Sequence, residues 1–233
     1  MIKLSANIES SNSFYDTLAE DYNNYMTDAD NEVRKVVSET FNEFITAGNV
    51  LDFGGGTGLD LPWLLQCKYQ VFFLEPSAQM RSIAMETILT SSNNKRPKVI
   101  EDKTNLKEWS IGNLPFTEKM DGVLANFAVI NCIENAEEFF HSIALLCKPG
   151  CKVVLTVLDP RPQAIFKKNS IFCSIQMLLK GKFKVLHNYK GVYHETHIHS
   201  IDSLKKASRK YFDLIFHRPV KSSGFIILIF SKK

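Results

Sequence analysis

A glycine-rich turn directly after a short apolar segment is the feature that most constrains how this chain folds. The stretch VLDFGGGTGLDLPW covers residues 50–63 and has four glycines within five positions. The residues NVLDF predict a short buried strand, and DLPWLLQC predicts a helix that tolerates Pro62 in its first turn. Because glycine has no Cβ, the backbone between strand and helix can approach a ligand closely. The turn therefore predicts a ligand site between a strand and a helix.

Strands and helices alternate along most of the remaining chain. The segments YQVFFLEP, PKVIEDKTNL, MDGVLANFAVI and CKVVLTVLDP predict four further strands, with helical patterns between them. This alternation predicts an α/β fold with a doubly wound, mostly parallel, Rossmann-like sheet of seven strands. The segments YFDLIFHRPV and FIILIFSKK, joined by KSSG, predict a terminal hairpin that adds an antiparallel strand. The length of 233 residues favours one domain, 1–233.

Two segments extend this minimal pattern. Residues 1–45 form an N-terminal segment in which apolar spacing from residue 13 onward predicts two helices. Residues 161–200 form an insert that predicts a helix followed by one or two strands. Ligands of open parallel sheets bind beyond the carboxyl ends of the strands. We expect the insert to cover that edge and to contribute to substrate binding.

Composition and charge narrow the setting. The five cysteines show no paired CxxC spacing, which favours a reducing compartment. The first residues carry no apolar leader pattern, and no apolar run reaches the length of a membrane span, so we expect a cytoplasmic protein. Residues 1–159 contain 13 basic and 22 acidic residues, a net charge of −9, whereas residues 160–233 contain 15 and 3, a net charge of +12. The basic C-terminal third predicts an anionic partner or surface.

The spacing of the glycines distinguishes among known ligand loops. The dinucleotide fingerprint G-x-G-x-x-G fails because Leu59 and Leu61 stand where its last glycine belongs. A phosphate-binding P-loop fails because no lysine follows Gly58. A nicotinamide oxidoreductase is therefore disfavoured. The pattern that fits is D-x-G-x-G-x-G, which begins at Asp52.

This pattern resembles the first motif of the class I S-adenosylmethionine-dependent methyltransferases of the small-molecule type. Further resemblance lies in FFLEPSAQM, GNLPFTEKMDGVLANFAV and LLCKPGCKVVLTV, and in the terminal hairpin. The segment FYDTLAEDYNNY resembles the N-terminal helix that forms a lid over the cofactor in such enzymes. The resemblance implies S-adenosyl-L-methionine as cofactor and S-adenosyl-L-homocysteine as product.

The same resemblance implies a set of cofactor-binding residues. Asp52 would hold the amino group of the cofactor, and the backbone at Gly54 and Gly56 would pass its methionine part. Glu75 would accept hydrogen bonds from the ribose hydroxyls, as acidic residues do in dinucleotide folds. The adenine contact from the third strand, an Asp in the family, falls here at Asn105 and Leu106, with Asp102 as the alternative. The other implied residues are Gly55, Gly58, Pro76, Met80, Asn126, Phe127, Tyr15 and Tyr22.

The stretch HETHIHS concentrates the histidines. In a strand, Glu195, His197 and His199 share one face. Three interpretations remain open: a general base supplied by His197 or His199, a metal site, and a polar strand face without chemistry. No fourth ligand is evident for a metal, so none is predicted. The polar face is favoured, and the catalytic residue stays unassigned.

The acceptor is the least determined part of the prediction. The tetrapeptide [DNS]-P-P-[YF], by which family members methylate nucleic-acid bases, is replaced by NFAV, and nucleic acid is therefore disfavoured as a partner. We expect a small-molecule or lipid-like acceptor, methylated at oxygen or nitrogen. The apolar and basic insert fits a lid over an apolar pocket, an anionic membrane contact, or a helix packed on the core. The alternative is a non-catalytic binding protein with this fold.

Overall fold

The computed structural model describes residues 3–90, 95–100, 106–161 and 170–233. In this part of the chain a seven-stranded sheet and a separate two-stranded sheet are present. The strands are β1 (Gly48–Phe53), β2 (Tyr69–Leu74), β3 (Lys98–Ile100), β4 (Met120–Ala125), β5 (Cys147–Leu158), β6 (Lys182–Tyr189), β7 (Val192–His199), β8 (Phe212–Pro219) and β9 (Phe225–Lys232).

Helices precede, connect and follow these strands. They are α1 (Lys3–Tyr22), α2 (Asp28–Phe44), α3 (Leu61–Gln66), α4 (Ala78–Thr90), α5 (Leu106–Ser110), α6 (Ala136–Leu146), α7 (Ser170–Lys180) and α8 (Ile201–Ser208). A capping box starts α2, because the Thr27 side chain accepts from the Asp30 N–H while the Asp30 carboxylate accepts from the Thr27 N–H. Such caps satisfy N–H groups that have no partner within the helix.

The large sheet has the strand order β3-β2-β1-β4-β5-β9-β8. Strands β1 to β5 pair in parallel, and β9 pairs antiparallel with both β5 and β8. The predicted doubly wound sheet with a terminal antiparallel hairpin is confirmed. The strand order reverses between β1 and β4, and ligands of open α/β sheets bind at such a switch point.

Two apolar clusters cover the two faces of this sheet. Side chains of β1 alternate, so that Leu51 and Phe53 join one cluster with Trp109 and Phe140, whereas Val50 joins the other with Phe41. Burying a large apolar side chain contributes about 1.5–3 kcal/mol. The Asp52 side chain points to the Val50 face and is 1% exposed, so the strand carries one carboxylate into an otherwise apolar layer.

The insert forms a hairpin of β6 and β7 preceded by α7, where residues 162–169 lie outside the described part. In this hairpin Leu186 pairs with Glu195, and Lys184 pairs with His197. Phe183 and Ile198 form a small buried cluster, and the partly buried Met177 of α7 packs against it. Strand β7 packs against α1 and the turn after β4. One boundary differs from the prediction: the strand was expected to begin with CKVVLTVLDP, whereas β5 begins at Cys147 and includes CKPG.

No helix of the described residues combines the length and the apolar character that crossing a bilayer requires.

Candidate active site

A cavity opens where the carboxyl ends of β1, β2 and β4 meet. The space within it is about 790 Å³, counting open solvent at its mouth. Helix α1 lies over one side of it. The predicted residues that line it are Asp52, Gly54, Gly55, Gly56, Glu75, Pro76, Met80, Asn126, Phe127, Tyr15 and Tyr22.

Glu75 is fixed at the end of β2 by backbone donors. Its Oε2 accepts from the Gly56 N–H at 2.8 Å, and its Oε1 accepts from the Ser77 N–H at 2.8 Å. Burial raises the pKa of Glu75 to about 7, while these two hydrogen bonds oppose the rise. A carboxylate has about four acceptor positions. Glu75 therefore keeps acceptor capacity for a ligand after both backbone contacts are made.

Asp52 has a polar atom without a partner. Its Oδ2 is buried and accepts no hydrogen bond from any residue that the structure describes. Burial raises the pKa of Asp52 well above its usual range, and the nearby Asp60 adds to the rise while Arg34 opposes it. An unpaired buried carboxylate is costly. A cationic ligand group at this oxygen would remove the cost, so Asp52 fits the ammonium group of a ligand.

The glycines of the turn have different physical roles. A Cβ on Gly56 would meet nothing within 4 Å, and its φ is +58°, so Gly56 presents bare backbone to the cavity. A Cβ on Gly58 would come within 2.8 Å of the Ala84 Cβ. Gly58 does not line the cavity as described. It serves the close packing of the turn against α4.

A buried ion pair borders the cavity. The Arg34 Nη1 atom lies 2.6 Å from Asp60 Oδ2, with the side chains 15% and 6% exposed. Asp60 also accepts from Trp63 Nε1 at 2.9 Å and from Asn126 Nδ2 at 3.0 Å. Asn126 in turn accepts from Thr156 Oγ1 at 2.9 Å. This network ties α2, the start of α3 and the end of β4 to one another.

The backbone after β4 adopts an uncommon conformation. Phe127 and Ala128 have φ angles of 49° and 64°, in the left-handed region that non-glycine residues rarely occupy. The Phe127 N–H donates to Asn126 Oδ1 at 2.9 Å, and the Ala128 N–H donates to the Thr156 carbonyl at 3.1 Å. Strain of this kind clusters at functional sites. Here it turns the Phe127 ring toward the cavity.

Helix α1 is tied to three neighbouring elements. Asn23, just beyond α1, accepts from Thr57 Oγ1 at 2.6 Å, which links it to the glycine turn. Asp16 accepts from Ser77 Oγ at 2.5 Å. Ser11 Oγ lies 3.1 Å from His194 Nδ1 on β7. Helix α1 is therefore held across the cavity from several sides.

Two phenols of this region line the cavity. Tyr15 OH lies 3.3 Å from Cys132 Sγ, and burial raises the pKa of Tyr15 well above its usual value. Burial raises the pKa of Tyr22 to about 12. Both phenols stay protonated near neutral pH, so they can donate hydrogen bonds and do not act as bases there.

The histidines of β7 lie elsewhere. His197 and His199 have ring centroids 6.4 Å apart, which agrees with the predicted shared face. His199 Nε2 contacts the Ile133 carbonyl at 3.0 Å, and the His197 carbonyl accepts from Asn131 Nδ2 at 2.7 Å. Burial lowers the pKa of both imidazoles, that of His199 to about 4. Neither side chain lines the cavity; the His199 ring and the His197 backbone contact the turn after β4.

Two further predicted residues do not meet the cavity in the described structure. Leu106 is buried in the core cluster beside Trp109, and its carbonyl accepts from Ser142 Oγ at 2.8 Å. Asn105 and the alternative Asp102 lie outside the described residues, so the adenine contact stays a prediction. Among the described residues no cluster of His, Cys, Asp or Glu could hold a metal ion.

Sequence reasoning missed several cavity residues. Arg34 is one of several charges on an amphipathic helix, and Asp60 resembles an ordinary residue at a helix start. Asp60 makes no capping hydrogen bond with its side chain, so its carboxylate is used in the ion pair instead. Ser11, Asn12 and Cys132 also line the cavity, and no sequence pattern distinguishes them.

Comparisons with known proteins agree with this geometry. A family model described as a methyltransferase domain matches residues 25–211. The structure of DhpI in complex with SAH has a TM-score of 0.70 at 17% identity, covering 97% of this chain and 96% of that chain. The Burkholderia thailandensis 1,6-didemethyltoxoflavin-N1-methyltransferase, with bound 1,6-didemethyltoxoflavin and S-adenosylhomocysteine, has a TM-score of 0.68 at 14% identity, covering 100% and 92%. CcbJ methyltransferase from Streptomyces caelestis has a TM-score of 0.67 at 14% identity, covering 92% and 96%. A search of curated proteins found no match.

The strand order, the glycine turn and the matched family model define a class I methyltransferase. The family model spans most of the chain, and the chain therefore belongs to the methyltransferase-domain family. The prediction of an S-adenosylmethionine-dependent methyltransferase is confirmed at this level.

Proposed function

We propose that this protein transfers a methyl group from S-adenosylmethionine to a small-molecule acceptor, at oxygen or nitrogen. The observation that carries the proposal is the pair of buried carboxylates, Asp52 and Glu75, which line one cavity together with the bare backbone of Gly56. Asp52 Oδ2 has no partner among the described residues, and Glu75 keeps free acceptor positions. Together they suit a ligand with an ammonium group and vicinal hydroxyls.

The residues of the cavity have separate tasks in this proposal. Asp52 accepts from the ammonium group, Glu75 accepts from the ribose hydroxyls, and Pro76 and Met80 flank the adenine. The cofactor, when bound, supplies an electrophilic methyl group on a positively charged sulfur. The protein then has to align an acceptor with that methyl group and to exclude water, and alignment supplies much of the rate.

Residues 1–45 and 161–200 complete the site as lids in this proposal. The contacts of α1 with Thr57, Ser77 and His194 support it, because they connect α1 both to the glycine turn and to the insert hairpin. No general base is assigned. His197 and His199 have lowered pKa values and are neutral near pH 7, but their side chains do not line the cavity.

The direct test is calorimetric titration with S-adenosylhomocysteine and, separately, with NAD. We expect binding of S-adenosylhomocysteine and none of NAD. Asp52→Asn keeps the shape of the side chain and removes its charge, so affinity should fall about tenfold, since hydrogen bonds to charged groups contribute about 1.5–3 kcal/mol. Binding of NAD without binding of S-adenosylhomocysteine would contradict the proposal.

An apolar face of the insert supports a second, finer proposal about the acceptor. On α7, Ile175, Leu178 and Leu179 are 49%, 85% and 79% exposed, while Met177 packs inward. Exposed apolar side chains beside lysine are typical of interfacial helices. We infer contact with an anionic membrane surface and, with it, a lipid-like acceptor. The alternative of a non-catalytic protein has no comparable support.

A further inference from the structure

Helix α1 lies between the cavity and the hairpin of β6 and β7. The residues of α1 that line the cavity are Ser11, Asn12, Tyr15 and Tyr22. Phe14 of the same helix is buried, and its ring centroid lies 5.2 Å from that of His194 and 6.4 Å from that of Tyr189, both on the hairpin. The hairpin itself supplies no residue to the described lining of the cavity. It therefore acts on the cavity through α1.

The tip of the hairpin is joined to the C-terminal end of α1. The Tyr189 hydroxyl donates to Asp21 Oδ2, and Lys190 Nζ donates to the same oxygen at 3.0 Å. Lys190 and Gly191 have φ angles of 48° and 84°, as in the tight two-residue turns of hairpins. The hydrogen bonds from Tyr189 and Lys190 hold the pKa of Asp21 below its ordinary value. Asp21 is therefore ionised at neutral pH and accepts from both hairpin residues.

A second contact joins the hairpin to α1 nearer the start of the helix. Ser11 Oγ lies 3.1 Å from Nδ1 of the buried His194. Ser11 and Asp21 are ten residues apart, which is about 15 Å along a helix. The hairpin thus holds α1 at two separated points, and the Phe14 ring packs between them. A helix held at two such points cannot pivot about either one.

We propose that the hairpin of β6 and β7 is a clasp on α1 that slows entry and exit of the methyl donor without changing its affinity. The clasp consists of Tyr189 and Lys190 on Asp21 and of His194 on Ser11. The inference rests on the proposed function, because that function supplies the donor and places it beside α1. It gives the insert a part in the timing of cofactor exchange.

The separation of rate from affinity follows from where the contacts lie. The clasp joins α1 to the hairpin rather than to the ligand, so it is equally favourable in the free and in the bound protein. A contact without preference for either state leaves the dissociation constant unchanged. The donor has to pass the displaced α1 in both directions, as ligands pass the lids of many enzymes. Association and dissociation therefore slow by the same factor.

The test compares matched variants by surface plasmon resonance with S-adenosylhomocysteine as the probe. Tyr189→Phe removes the hydroxyl that donates to Asp21, and Asp21→Ala removes the acceptor of both hairpin donors. One control is Tyr193→Phe, which removes a hydroxyl from a tyrosine of the same hairpin that is 57% exposed. The other is Glu20→Ala, which removes a negative charge from the exposed position beside Asp21. Thermal melting establishes that each variant is folded.

In Tyr189→Phe both rate constants, of association and of dissociation, should rise about fivefold, the equivalent of one hydrogen bond. The dissociation constant should change by less than about twofold. Asp21→Ala should raise both rate constants further, and adding Tyr189→Phe to it should have little effect, because the two side chains act through one contact. Both controls should match the parent protein. If Asp21→Ala does not fold, the rates of Tyr189→Phe decide.

Hydrogen exchange gives a second readout that needs no ligand. Local opening of α1 exposes the amides of residues 11–22. In the free protein these amides should exchange about fivefold faster in Tyr189→Phe than in the parent, by the same hydrogen-bond equivalent. In Tyr193→Phe their exchange should be unchanged.

Two results would overturn the inference. Unchanged rate constants in Tyr189→Phe and Asp21→Ala would mean that the hairpin does not limit cofactor exchange. A faster dissociation alone, with the dissociation constant raised by the same factor, would mean that the hairpin supports ligand binding itself. Absence of S-adenosylhomocysteine binding to the parent protein would instead overturn the proposed function, while hydrogen exchange would still decide whether the clasp holds α1. The two failures are therefore distinguishable.

Discussion

Glu75 Oε2 accepts a hydrogen bond from the backbone N–H of Gly56 at 2.8 Å, which joins the end of β2 to the turn after β1. This contact places a buried carboxylate against the glycine that presents bare backbone to the cavity. Because the Glu75 carboxylate would also accept hydrogen bonds from a ligand, ligand binding should depend on whether Glu75 is protonated. The strands themselves pair in parallel at Phe53 and Leu74, so the sheet sets the distance between the two residues.

The pKa of Glu75 predicts a pH dependence of cofactor affinity. The value of about 7 lies above the ordinary value of a Glu. Ribose hydroxyls bind the ionised form, so affinity for S-adenosylhomocysteine should rise as pH increases through 7. If only the ionised form binds, the affinity at pH 6 is about tenfold below its limit at high pH. Titrations from pH 6 to pH 8 measure this slope.

Glu75→Gln is the matched control for that slope. It keeps the side-chain shape but only one acceptor, so its amide NH2 faces one of the two backbone N–H donors, of Gly56 or of Ser77. It also cannot ionise in this range, so binding should be weaker and nearly independent of pH between 6 and 8. The same pKa shift also affects folding. Because the carboxyl binds a proton more tightly when folded, it lowers stability as pH rises from about 4.5 to 7. A parent protein with flat affinity across this range would contradict the role of Glu75.

Replacement by alanine should affect mainly cofactor binding at Gly56 and mainly stability at Gly58. Gly56→Ala adds a methyl group toward open space in the cavity at φ +58°, with a strain of about 1–2 kcal/mol. It should weaken cofactor binding. Gly58→Ala adds a Cβ 2.8 Å from Ala84, and overpacking costs about 1–3 kcal/mol beyond the strain. Denaturant melts and calorimetry should show Gly58→Ala as the less stable variant and Gly56→Ala as the weaker binder.

The ion pair of Arg34 and Asp60 predicts a large loss of stability when it is broken. Asp60→Ala leaves a largely buried guanidinium without its carboxylate and removes the acceptor of Trp63 and Asn126. Breaking a buried pair in this way costs about 3–5 kcal/mol. Urea denaturation measures it, and Glu32→Ala at an exposed position of α2 should change the free energy of unfolding by less than about 0.5 kcal/mol. If Asp60→Ala and Glu32→Ala changed the free energy of unfolding equally, the ion pair of Arg34 and Asp60 would contribute nothing to stability.

How much the sequence could predict follows from which interactions are local. Asp52 and the glycine turn are adjacent in the sequence and Glu75 ends the next strand, so the resemblance to the methyltransferase motif could imply that they share one site. They do line one cavity, except for Gly58, which packs against α4. The order of strand and helix segments predicted the parallel sheet. The prediction missed the start of β5, because the proline and glycine of CKPG are unusual within a strand. In the structure Cys147 nevertheless pairs with Met120 of β4.

Other parts of the site depend on tertiary contacts that no spacing encodes. Arg34 reaches the cavity because α2 packs on the sheet and Asp60 attracts its guanidinium. The shared face of His197 and His199 was predicted by strand periodicity, but periodicity does not specify what packs on that face. Here the Ile133 carbonyl, in the turn after β4, contacts the His199 ring, while Asn131 of the same turn donates to the His197 backbone carbonyl.

The contact between Asn23 and Thr57 predicts how firmly α1 covers the cavity. Thr57→Val removes the hydroxyl that donates to Asn23 at 2.6 Å and keeps the side-chain volume. Losing one such bond costs about 1 kcal/mol, which corresponds to roughly fivefold faster opening. Hydrogen exchange of the amides of residues 11–22 should accelerate by that factor without ligand and slow again when S-adenosylhomocysteine is bound. Thr87→Val on the exposed side of α4 should leave the exchange of α1 unchanged.

The exposed face of α7 predicts association with anionic vesicles. Leu178 and Leu179 are among the most exposed large apolar side chains of the described residues, and Lys180 follows them at the end of the helix. The net charge of +12 over residues 160–233 adds attraction, although Lys184 and Lys190 pair with Glu195 and Asp21. Co-sedimentation should occur with vesicles of phosphatidylglycerol and phosphatidylcholine and not with phosphatidylcholine alone. It should weaken with added salt, because the Debye length is about 10 Å at 0.1 M.

Replacing both leucines by serine should abolish this association, whereas Leu89→Ser, at another exposed leucine on α4, should not. If the parent protein stays in solution with anionic vesicles even at low salt, the membrane contact is wrong and the apolar face has another partner.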